Sequence, residues 1–511
     1  MPWINTSNLS ERDDKNAERV NQIYNGLDCC VTLEVWHRLR EELELRPNCM
    51  DQFRFKMALL APLIEMALRG VLVNTESRDE AVGYLSSSIA AMQKNLDTLA
   101  TAVWGKGLNP NSPKQLQEFF YGRMKLPVLY SFFKGKRSIS TDRKALEKIG
   151  LYFFPQIFVS HISKIREARK LLGVFNSGID FDKRMRCSYN AGGTTTTRLS
   201  SNKNVFGGGT NLQNITARIR QVFQADKGKR MYGGDLEQAE SRAVGGIMIR
   251  DFSDHAYHSA CNDGDLHTNV CKQIWPELPW SGDPKRDREI ADQGFYLELS
   301  YRDLGKRGGH GTNYYGTPRT MAKHLNVEEK IIQKFQENYF AAYHLHRWHK
   351  LCAQKLMTTQ MIVTPFGTEN IFFDRPEDDA TLRFYIAYEP QSTVGQLTNI
   401  GLLRIWHTMP EVALTFQVHD AIYFQADESL DQADLIKRAR ACMEVPIKYG
   451  SETVIIPTEF KTGFNWGNFD PRKPNNNPNG LMKWKGNDER KRQQGRLDQF
   501  LSTIHLAPAK P

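Results

Sequence analysis

The chain has 511 residues, and its 68 lysines and arginines against 58 aspartates and glutamates give a formal net charge of +10. With 40% hydrophobic and 11% aromatic residues, the length suffices for about two to four packed domains, which excludes global disorder and a single small binding module. The positive charge favours polyanionic partners, a property that ribosomal and membrane-surface proteins share.

Helical periodicity dominates the first part of the chain. It extends over residues 15–48 and again over 53–66. Residues 76–104 keep the helical spacing until two prolines within 108–116 interrupt it. We therefore predict a largely helical unit over residues 50–180.

A mixed pattern follows. Gly192–Gly193, the four threonines 194–197 and Gly207–Gly209 indicate irregular backbone. Short runs that are rich in β-branched and aromatic residues predict strands at 230–236 and 412–425.

Longer segments between and beside these strands have helical spacing, at 285–305 and 319–360. This alternation predicts an α+β fold with helices inserted between strands. From Pro471 onward a polar linker (475–480) and a run dominated by charge (483–494) predict a flexible tail.

No segment resembles a membrane span or a secretion leader. The chain lacks a run of roughly 18 to 20 apolar residues, and its first residues lack a basic and then apolar region. The eight cysteines include no Cys-x-x-Cys pair, so we predict reduced thiols rather than a zinc site or a disulfide framework.

Two aspartates follow predicted strands. Asp235 comes after Met231-Tyr-Gly-Gly, where a carboxylate with glycines beside it suits a hard cation such as Mg²⁺, although a helix cap is the commoner role. His419-Asp420 separates two short strands. A hairpin there would hold a second carboxylate beside the first, but such a dipeptide also occurs by chance.

A third segment carries cations and aromatic residues. If residues 295–306 are helical, Arg302 and Lys306 share one face, where two cations can grip a triphosphate. Tyr314 and Tyr315 follow and can stack on a base. The alternative is a solvated helix face.

Taken together in this order, the three segments resemble the motifs of family A DNA polymerases, the DNA polymerase I class. The resemblance spans roughly residues 50–470. The motifs are Asp235–Arg242, Arg302–Gly316 and Gln417–Asp420, and further matching segments are Leu108–Leu116, Ser140–Asp142, Thr197–Ser201, Asn211–Ile215 and Asp265–Thr268.

The resemblance implies a right-hand polymerase fold with an antiparallel palm sheet and helical thumb and fingers. The expected domains are a remnant of a 3′–5′ exonuclease domain (1–48), the thumb (49–180), the first part of the palm (181–250), the fingers (251–345), the second part of the palm (346–470) and a flexible basic tail with a clamp-binding motif (471–511).

The implied function is a DNA-directed DNA polymerase that extends a primer 3′-hydroxyl with deoxynucleoside triphosphates by two-metal phosphoryl transfer. Asp235, Asp420 and the backbone carbonyl of Leu236 would hold two Mg²⁺ ions, with Mn²⁺ as a substitute, and Lys306 is a candidate acid toward pyrophosphate. The implied nucleotide-binding residues are Arg302, Lys306, His267, His310, Tyr314, Gln238 and Glu240. The implied DNA-binding residues are Arg198, Asn211, Gln213, Asn214, Arg383, Gln391 and His419.

The same resemblance implies which sugar the site accepts. Glu240 would pair with Tyr314 and crowd a 2′-hydroxyl, so deoxynucleotides are the expected substrate. The sequence also departs from the family. Ala421 stands where a carboxylate is usual, and Glu237, where serine is usual, either compensates or is merely solvated. His310 stands four residues after Lys306, where Phe or Tyr is usual, and can still stack on a base. The inserted Tyr315 leaves open whether Tyr314 or Tyr315 fills the family role.

Both ends of the chain carry further resemblances. Tyr24 and Asp28 resemble the last motif of the proofreading exonuclease, but only 23 residues precede Tyr24. We therefore expect no proofreading from this chain unless a separate polypeptide or a removed segment supplies the rest, and we favour a helix that only packs against its neighbours.

Near the other end, the sequence resembles sliding-clamp ligands of the PCNA-interacting type. One helical turn would place the apolar side chains in a pocket, and the flexible tail would act as a tether. An ordinary amphipathic turn is the alternative. The residues of this motif are Gln494, Leu497, Phe500 and Leu501.

The expected partners are therefore primer–template DNA, deoxynucleoside triphosphates and a sliding clamp, with the chain a monomer. We expect an intracellular protein that is cytoplasmic or nucleoid-associated, in a cell that includes a phage-infected host. We expect it to be neither secreted nor bound to a membrane. A catalytically silent nucleic-acid-binding protein is the main alternative function, given Ala421, and a nuclease is the third.

Overall fold

The structure, a computed structural model, describes residues 14–133, 136–204, 207–262, 264–296 and 299–486. The four residues of the predicted clamp motif lie outside these ranges. In the described part of the chain, no helix is both long and apolar enough to cross a membrane.

Long helices open the described chain, as the periodicity predicts. Trp36 of the first helix stacks on Phe53 of the second, with ring centroids 4.9 Å apart. The second helix ends where Gly70 donates its N–H to the carbonyl of Met66 at 3.0 Å. The elements are α1 (Asp14–Glu44), α2 (Pro47–Arg69), β1 (Val71–Val73) and α3 (Thr75–Trp104).

A helical unit with its own core comes next. Its last helix packs along α3, and Leu96, Phe119, Phe158 and Ile162 are fully buried between the helices. The prediction of a largely helical unit over residues 50–180 is confirmed, except for β1 and a short hairpin. The elements are α4 (Pro113–Gln117), a π-helical turn (Glu118–Arg123), β2 (Tyr130–Phe133), β3 (Lys136–Ile139), α5 (Arg143–Ile149) and α6 (Phe153–Phe175).

Short strands then surround the irregular segment that the glycines and threonines predict. β1 pairs with two of them in a three-stranded sheet, and the other two form a hairpin on either side of residues 191–199. The strands are β4 (Arg184–Met185), β5 (Cys187–Asn190), β6 (Ser200–Lys203) and β7 (Phe223–Gln224).

The predicted helix over 285–305 is wrong as a single element, because a hairpin divides it. Ser300 accepts from the N–H of Asp303 at 3.0 Å and donates its own N–H to that carboxylate, a capping box that starts a new helix. The elements from the predicted strand onward are β8 (Lys229–Leu236), α7 (Ala239–Phe252), α8 (Ala256–Asn262), α9 (Leu266–Ile274), α10 (Pro284–Ala291), β9 (Gly294–Tyr296), β10 (Leu299–Ser300) and α11 (Tyr301–Asn313).

The predicted helix over 319–360 is likewise divided, into three. Asn326 and His344 adopt left-handed backbone, which ends one helix and redirects the chain into the next. The helices are α12 (Pro318–Leu325), α13 (Glu329–Tyr343) and α14 (Leu345–Thr358).

The last part of the chain contributes one long helix and most of the central sheet. The chain keeps regular structure beyond residue 471, where a flexible tail is predicted, because Leu481 is buried and a short strand follows it. The elements are β11 (Met361–Val363), β12 (Glu369–Ile371), α15 (Asp379–Thr408), β13 (Ala413–Val418), β14 (Ala421–Asp427), α16 (Gln432–Met443), β15 (Ile447–Tyr449), β16 (Glu452–Val454), β17 (Thr458–Gly463) and β18 (Met482–Lys483).

The central sheet has the strand order β13-β14-β8-β17-β18, and every pairing is antiparallel. On the face toward α7 and α15, Tyr232 stacks on Phe424 in the main hydrophobic core. On the opposite face, Asp235 stands between its cross-strand partners Ala421 and Glu459. Asp235 thus lies at the end of the central strand, on the face whose other residue Met231 packs into a second, smaller core.

Gly234 allows this strand to sit close to the core behind it. A Cβ at this position would come within 2.8 Å of both Met443 Sδ and the Phe460 ring. We predict that Gly234→Ala lowers the free energy of unfolding by about 1–3 kcal/mol through overpacking. Denaturant unfolding measures the change.

The matched control is Gly83→Ala in α3, where nothing lies within 4 Å of the added Cβ. That change should stabilise the helix by about 0.5–1 kcal/mol. Equal unfolding midpoints for the two variants would contradict the close packing at Gly234.

Candidate active site

Two carboxylates from distant parts of the chain meet at one edge of the central sheet. Asp235 is the penultimate residue of β8, and Asp420 with His419 forms the turn between β13 and β14. Asp235 pairs with Ala421, so Asp420 lies next to it, and the Leu236 N–H donates to the Asp420 carbonyl at 3.4 Å. The predicted hairpin and the predicted pairing of carboxylates are therefore what the structure contains.

A relay of amides holds this turn. Gln417 donates its side-chain N–H to the carbonyl of His419, which has left-handed backbone at φ 56°. Gln213 in turn donates to Oε1 of Gln417 at 2.8 Å and to the carbonyl of Leu199 at 3.1 Å. Gln213, predicted to contact DNA, thus also supports the turn, and sequence reasoning gave the buried Gln417 no role of its own.

The two carboxylates resist ionisation. The cleft walls restrict water around Asp235, although it keeps access to solvent, and the charge of Asp420 adds to this effect and raises the pKa of Asp235 to about 6. Burial also raises the pKa of Asp420, with a contribution from Glu240. A cation between them would remove this penalty, because it favours both charged forms.

The donor set fits a hard divalent cation. Two carboxylates and the Leu236 carbonyl are oxygen ligands of the kind that Mg²⁺ accepts, and Mg²⁺ usually keeps several waters or substrate oxygens. Across the ranges that the structure describes, no three histidine, cysteine, aspartate or glutamate side chains converge as a metal group. The two carboxylates and the carbonyl leave further coordination positions that waters or ligand oxygens can fill.

A cavity of about 520 Å³ opens above the carboxylates, and helices α9 and α11 form its far wall. It brings together most of the predicted catalytic and nucleotide-binding residues. The predicted residues that line it are Arg198, Asp235, Leu236, Gln238, Glu240, His267, Lys306, His310, His419 and Asp420. Sequence reasoning missed Ser241, Tyr257 and Tyr339, which also line it.

Arg302 is not among the lining residues. Its guanidinium donates to both carboxylate oxygens of Asp265, at 2.7 and 2.9 Å, and Asp265 also caps the start of α9. Lys306, one turn further along α11, lines the cavity and has an exposed side chain. Sequence reasoning placed Asp265 in a matching segment but did not identify it as the partner of Arg302.

His267 is neutral at physiological pH. Burial lowers its pKa to about 4, and the nearby charges of Arg302 and Lys306 add to the effect against the opposing charge of Asp265. It can therefore offer a hydrogen bond to a ligand without adding a positive charge.

Glu240 connects the two walls. Its carboxylate accepts hydrogen bonds from Arg198 and from the hydroxyl of Tyr314. Tyr315 has left-handed backbone and turns its ring toward His349, with centroids 5.3 Å apart. Tyr314 is thus the tyrosine that contacts Glu240.

The ring of Tyr314 also packs edge-on against the ring of His310, with centroids 4.9 Å apart.

The remaining DNA-binding candidates lie outside the cavity. Asn211 caps the short 3₁₀ turn that carries Gln213 and Asn214. Arg383 and Gln391 lie on α15, where Arg383 is within 3.9 Å of Asp379.

Helix α15 also fixes the loop that carries Arg198. The hydroxyl of Thr197 donates to the carbonyl of Ser392 at 2.8 Å, and Asn399 donates to the carbonyl of Thr197 at 2.9 Å. The backbone before Arg198 is thereby anchored, which positions that side chain for Glu240.

The raised pKa of Asp235 predicts a pH-dependent stability effect. Its folded pKa of about 6 lies above the ordinary value, so the ionised form destabilises the fold above about pH 6 and the penalty disappears as the pH falls toward 4. Asp235→Asn should raise the thermal unfolding midpoint in EDTA at about pH 7.5. At about pH 4 the gain should be small, and Mg²⁺ at the higher pH should reduce it. An equal gain at both pH values would contradict the assignment.

The sequence is similar to those of known DNA polymerases. DNA polymerase I of Chloroflexus aurantiacus is 24% identical over 473 residues, a match that covers 88% of this chain and 46% of that protein. DNA polymerase I of Bacillus caldotenax is 23% identical over 448 residues and is covered to 46%. The chain thus spans about half the length of the curated relatives it matches.

A solved structure shares the fold. The POL domain of Pol1 from M. smegmatis, in complex with DNA primer-template and dNTP, has a TM-score of 0.64 and 22% sequence identity. The match covers 80% of this chain and 69% of that one. The sequence profile of DNA polymerase family A matches residues 79–468, which is more than half of the chain. The chain therefore belongs to the family A DNA polymerases.

Proposed function

We propose that the chain is a DNA-directed DNA polymerase that adds deoxynucleotides to a primer 3′-hydroxyl. The observation that carries the proposal is the meeting of Asp235 and Asp420 beneath a cavity whose far wall presents Lys306 and His267. A site that is acidic on one wall and basic on the other suits a triphosphate with bound cations. Family membership and the fold shared with a polymerase domain support this assignment.

Asp235 and Asp420, with the carbonyl of Leu236, would hold two divalent cations, as family A DNA polymerases use divalent metals. Bound there, Mg²⁺ or Mn²⁺ would supply Lewis-acid stabilisation of the attacking and leaving oxygens. The protein itself contributes position, because the sheet register fixes both carboxylates before substrate arrives.

Lys306 and His267 are proposed to bind the phosphates of the incoming nucleotide. Lys306 is exposed toward the cavity and can neutralise charge and donate a proton to the departing pyrophosphate. Arg302 can also bind the phosphates if its guanidinium leaves Asp265, or if the nucleotide extends far enough to reach Arg302 where it stands. His310, which lines the same cavity, is proposed to contact the base.

Discrimination against ribonucleotides is assigned to Glu240. Its carboxylate is fixed from two sides by Arg198 and Tyr314, so it cannot swing away from a 2′-hydroxyl without losing both bonds. A fixed side chain of this size makes a steric barrier.

The two ends of the chain are treated differently in the proposed function. Clamp binding through Gln494, Leu497, Phe500 and Leu501 is part of it and rests on the sequence pattern alone. No exonuclease role is assigned to Tyr24 and Asp28, which are exposed on α1.

Removing either carboxylate should abolish primer extension. Asp235→Ala and Asp420→Ala each remove a ligand of a metal centre that contributes several kcal/mol, so we expect a loss of about a thousandfold or more. Primer–template affinity should stay close to that of the parent. Extension of a labelled primer with Mg²⁺ and four deoxynucleotides, together with a binding titration, measures both.

Asp427→Ala, at the far end of β14, is the matched control and should keep extension. If the parent binds duplex but never extends the primer, the silent nucleic-acid-binding alternative is correct. Shortening of the primer without nucleotides would instead indicate a nuclease.

Replacing Glu240 should relax the choice of sugar. We expect Glu240→Ala to raise ribonucleotide incorporation relative to deoxynucleotide incorporation by about 10- to 100-fold, because the barrier at the 2′ position is gone. Glu240→Gln keeps the size of the side chain and should retain most of the discrimination. Single-nucleotide extension assays give the ratio, and unchanged discrimination in Glu240→Ala would contradict the assignment.

A further inference from the structure

The catalytic strand has a second neighbour whose side chain is charged. Directly opposite Asp235 on β17 stands Glu459, just as Ala421 stands opposite it on β14. Directly paired residues of antiparallel strands point to the same face, with their Cβ atoms about 4.5–5.5 Å apart. Of the two cross-strand partners of Asp235, only Glu459 carries a carboxylate.

Two lysines orient this carboxylate. Lys483 Nζ lies 2.5 Å from Oε2 of Glu459, and Lys461 Nζ lies 3.6 Å from Oε1. Lys461 is two residues further along β17, and Lys483 pairs with it from β18. All three side chains therefore share the face of the sheet that carries Asp235.

The environment leaves Glu459 able to bind water. Its side chain is 24% exposed, so it is neither locked in the core nor free in solvent. A carboxylate has about four acceptor sites, and Lys483 occupies one of them while Lys461 contributes its charge from 3.6 Å. The other sites can accept hydrogen bonds from water.

The role of Glu459 beside Asp235 is that of a hydrogen-bond acceptor rather than that of a third ligand. Asp235, Asp420 and Glu459 do not form a three-ligand metal group within the part of the chain that the structure describes. A carboxylate in this location can still accept hydrogen bonds from water on a cation held by Asp235. Groups that act in this way on metal sites typically change affinity or activity by about 10- to 100-fold.

We propose that Glu459 is a positioning residue of the metal site, which it supports by binding metal-coordinated water beside Asp235 while Lys461 and Lys483 hold its carboxylate in place. This inference rests on the proposed function of Asp235 and Asp420. It also gives β18 a role, because its Lys483 links the segment after residue 471 to β17, the neighbour of the strand that carries Asp235.

The test measures metal binding without catalysis. The full chain is bound to a primer–template whose primer ends in a dideoxynucleotide, and Mn²⁺ is titrated while the free ion is followed by electron paramagnetic resonance. We expect Glu459→Ala and Glu459→Gln to weaken Mn²⁺ binding by about 10- to 100-fold. Glu459→Asp should retain most of the affinity, and Lys483→Met should show a smaller loss.

The pattern among these variants separates positioning from packing. A packing role would be preserved in Glu459→Gln, which has the same shape, so parent-like Mn²⁺ affinity in that variant would overturn the proposal. The thermal midpoint and the duplex affinity of each variant show that the fold is intact. Glu118→Ala, which breaks a thumb pair with Lys106 at 3.5 Å, is the matched control and should not change Mn²⁺ binding.

The variant Asp235→Asn distinguishes the proposed role of Glu459 from the proposed metal binding by Asp235 and Asp420. If Asp235→Asn loses Mn²⁺ affinity and Glu459→Ala does not, only the role of Glu459 fails. If neither variant changes the affinity, the metal assignment of the whole site fails and the role of Glu459 falls with it.

Discussion

The site depends on the antiparallel pairing of β8 with β14. This register places Asp235 opposite Ala421 and therefore beside Asp420, although burial raises the pKa of both carboxyls and the charge of Asp420 raises that of Asp235 further. The free-energy cost of ionising these carboxyls is offset by the strand pairing of the sheet and by the core behind it, where Tyr232, Phe424 and Phe460 are fully buried. A rigid sheet can hold two like charges together because the alternative is to break the strand pairing itself.

The other wall of the cavity is held by ion pairs and hydrogen bonds rather than by strand pairing. Asp265 caps α9 and binds Arg302 of α11, which ties the two helices of this wall together. Glu240 joins the walls through Arg198 and Tyr314. Because such contacts can exchange for contacts with a ligand, this wall can respond to substrate while the carboxylates stay fixed.

Much of the site could be predicted from the sequence. Asp235, Asp420 and Lys306 stand in short segments whose order and local pattern are distinctive, and the strands that carry the two aspartates have the composition of buried strands. The capping box Ser300-x-x-Asp303 was also visible and would have divided the predicted helix over 285–305.

Other features could not be predicted, for a physical reason. The roles of Gln417 and Glu459 depend on which strands become neighbours and in what register, and distant parts of the chain decide both. The capture of Arg302 by Asp265 is a tertiary contact of the same kind. Local patterns show that a residue is in a strand or a helix, but they do not show what lies opposite it.

The most direct measurement of the central claim is a crystal structure of the chain with dideoxy-terminated primer–template, incoming deoxynucleotide and Mn²⁺, with the metals located by anomalous scattering. The account predicts Mn²⁺ within ligand distance of both Asp235 and Asp420, at the base of the cavity that also holds the triphosphate. Metal bound elsewhere, or bound by only one of these two carboxylates, would contradict it.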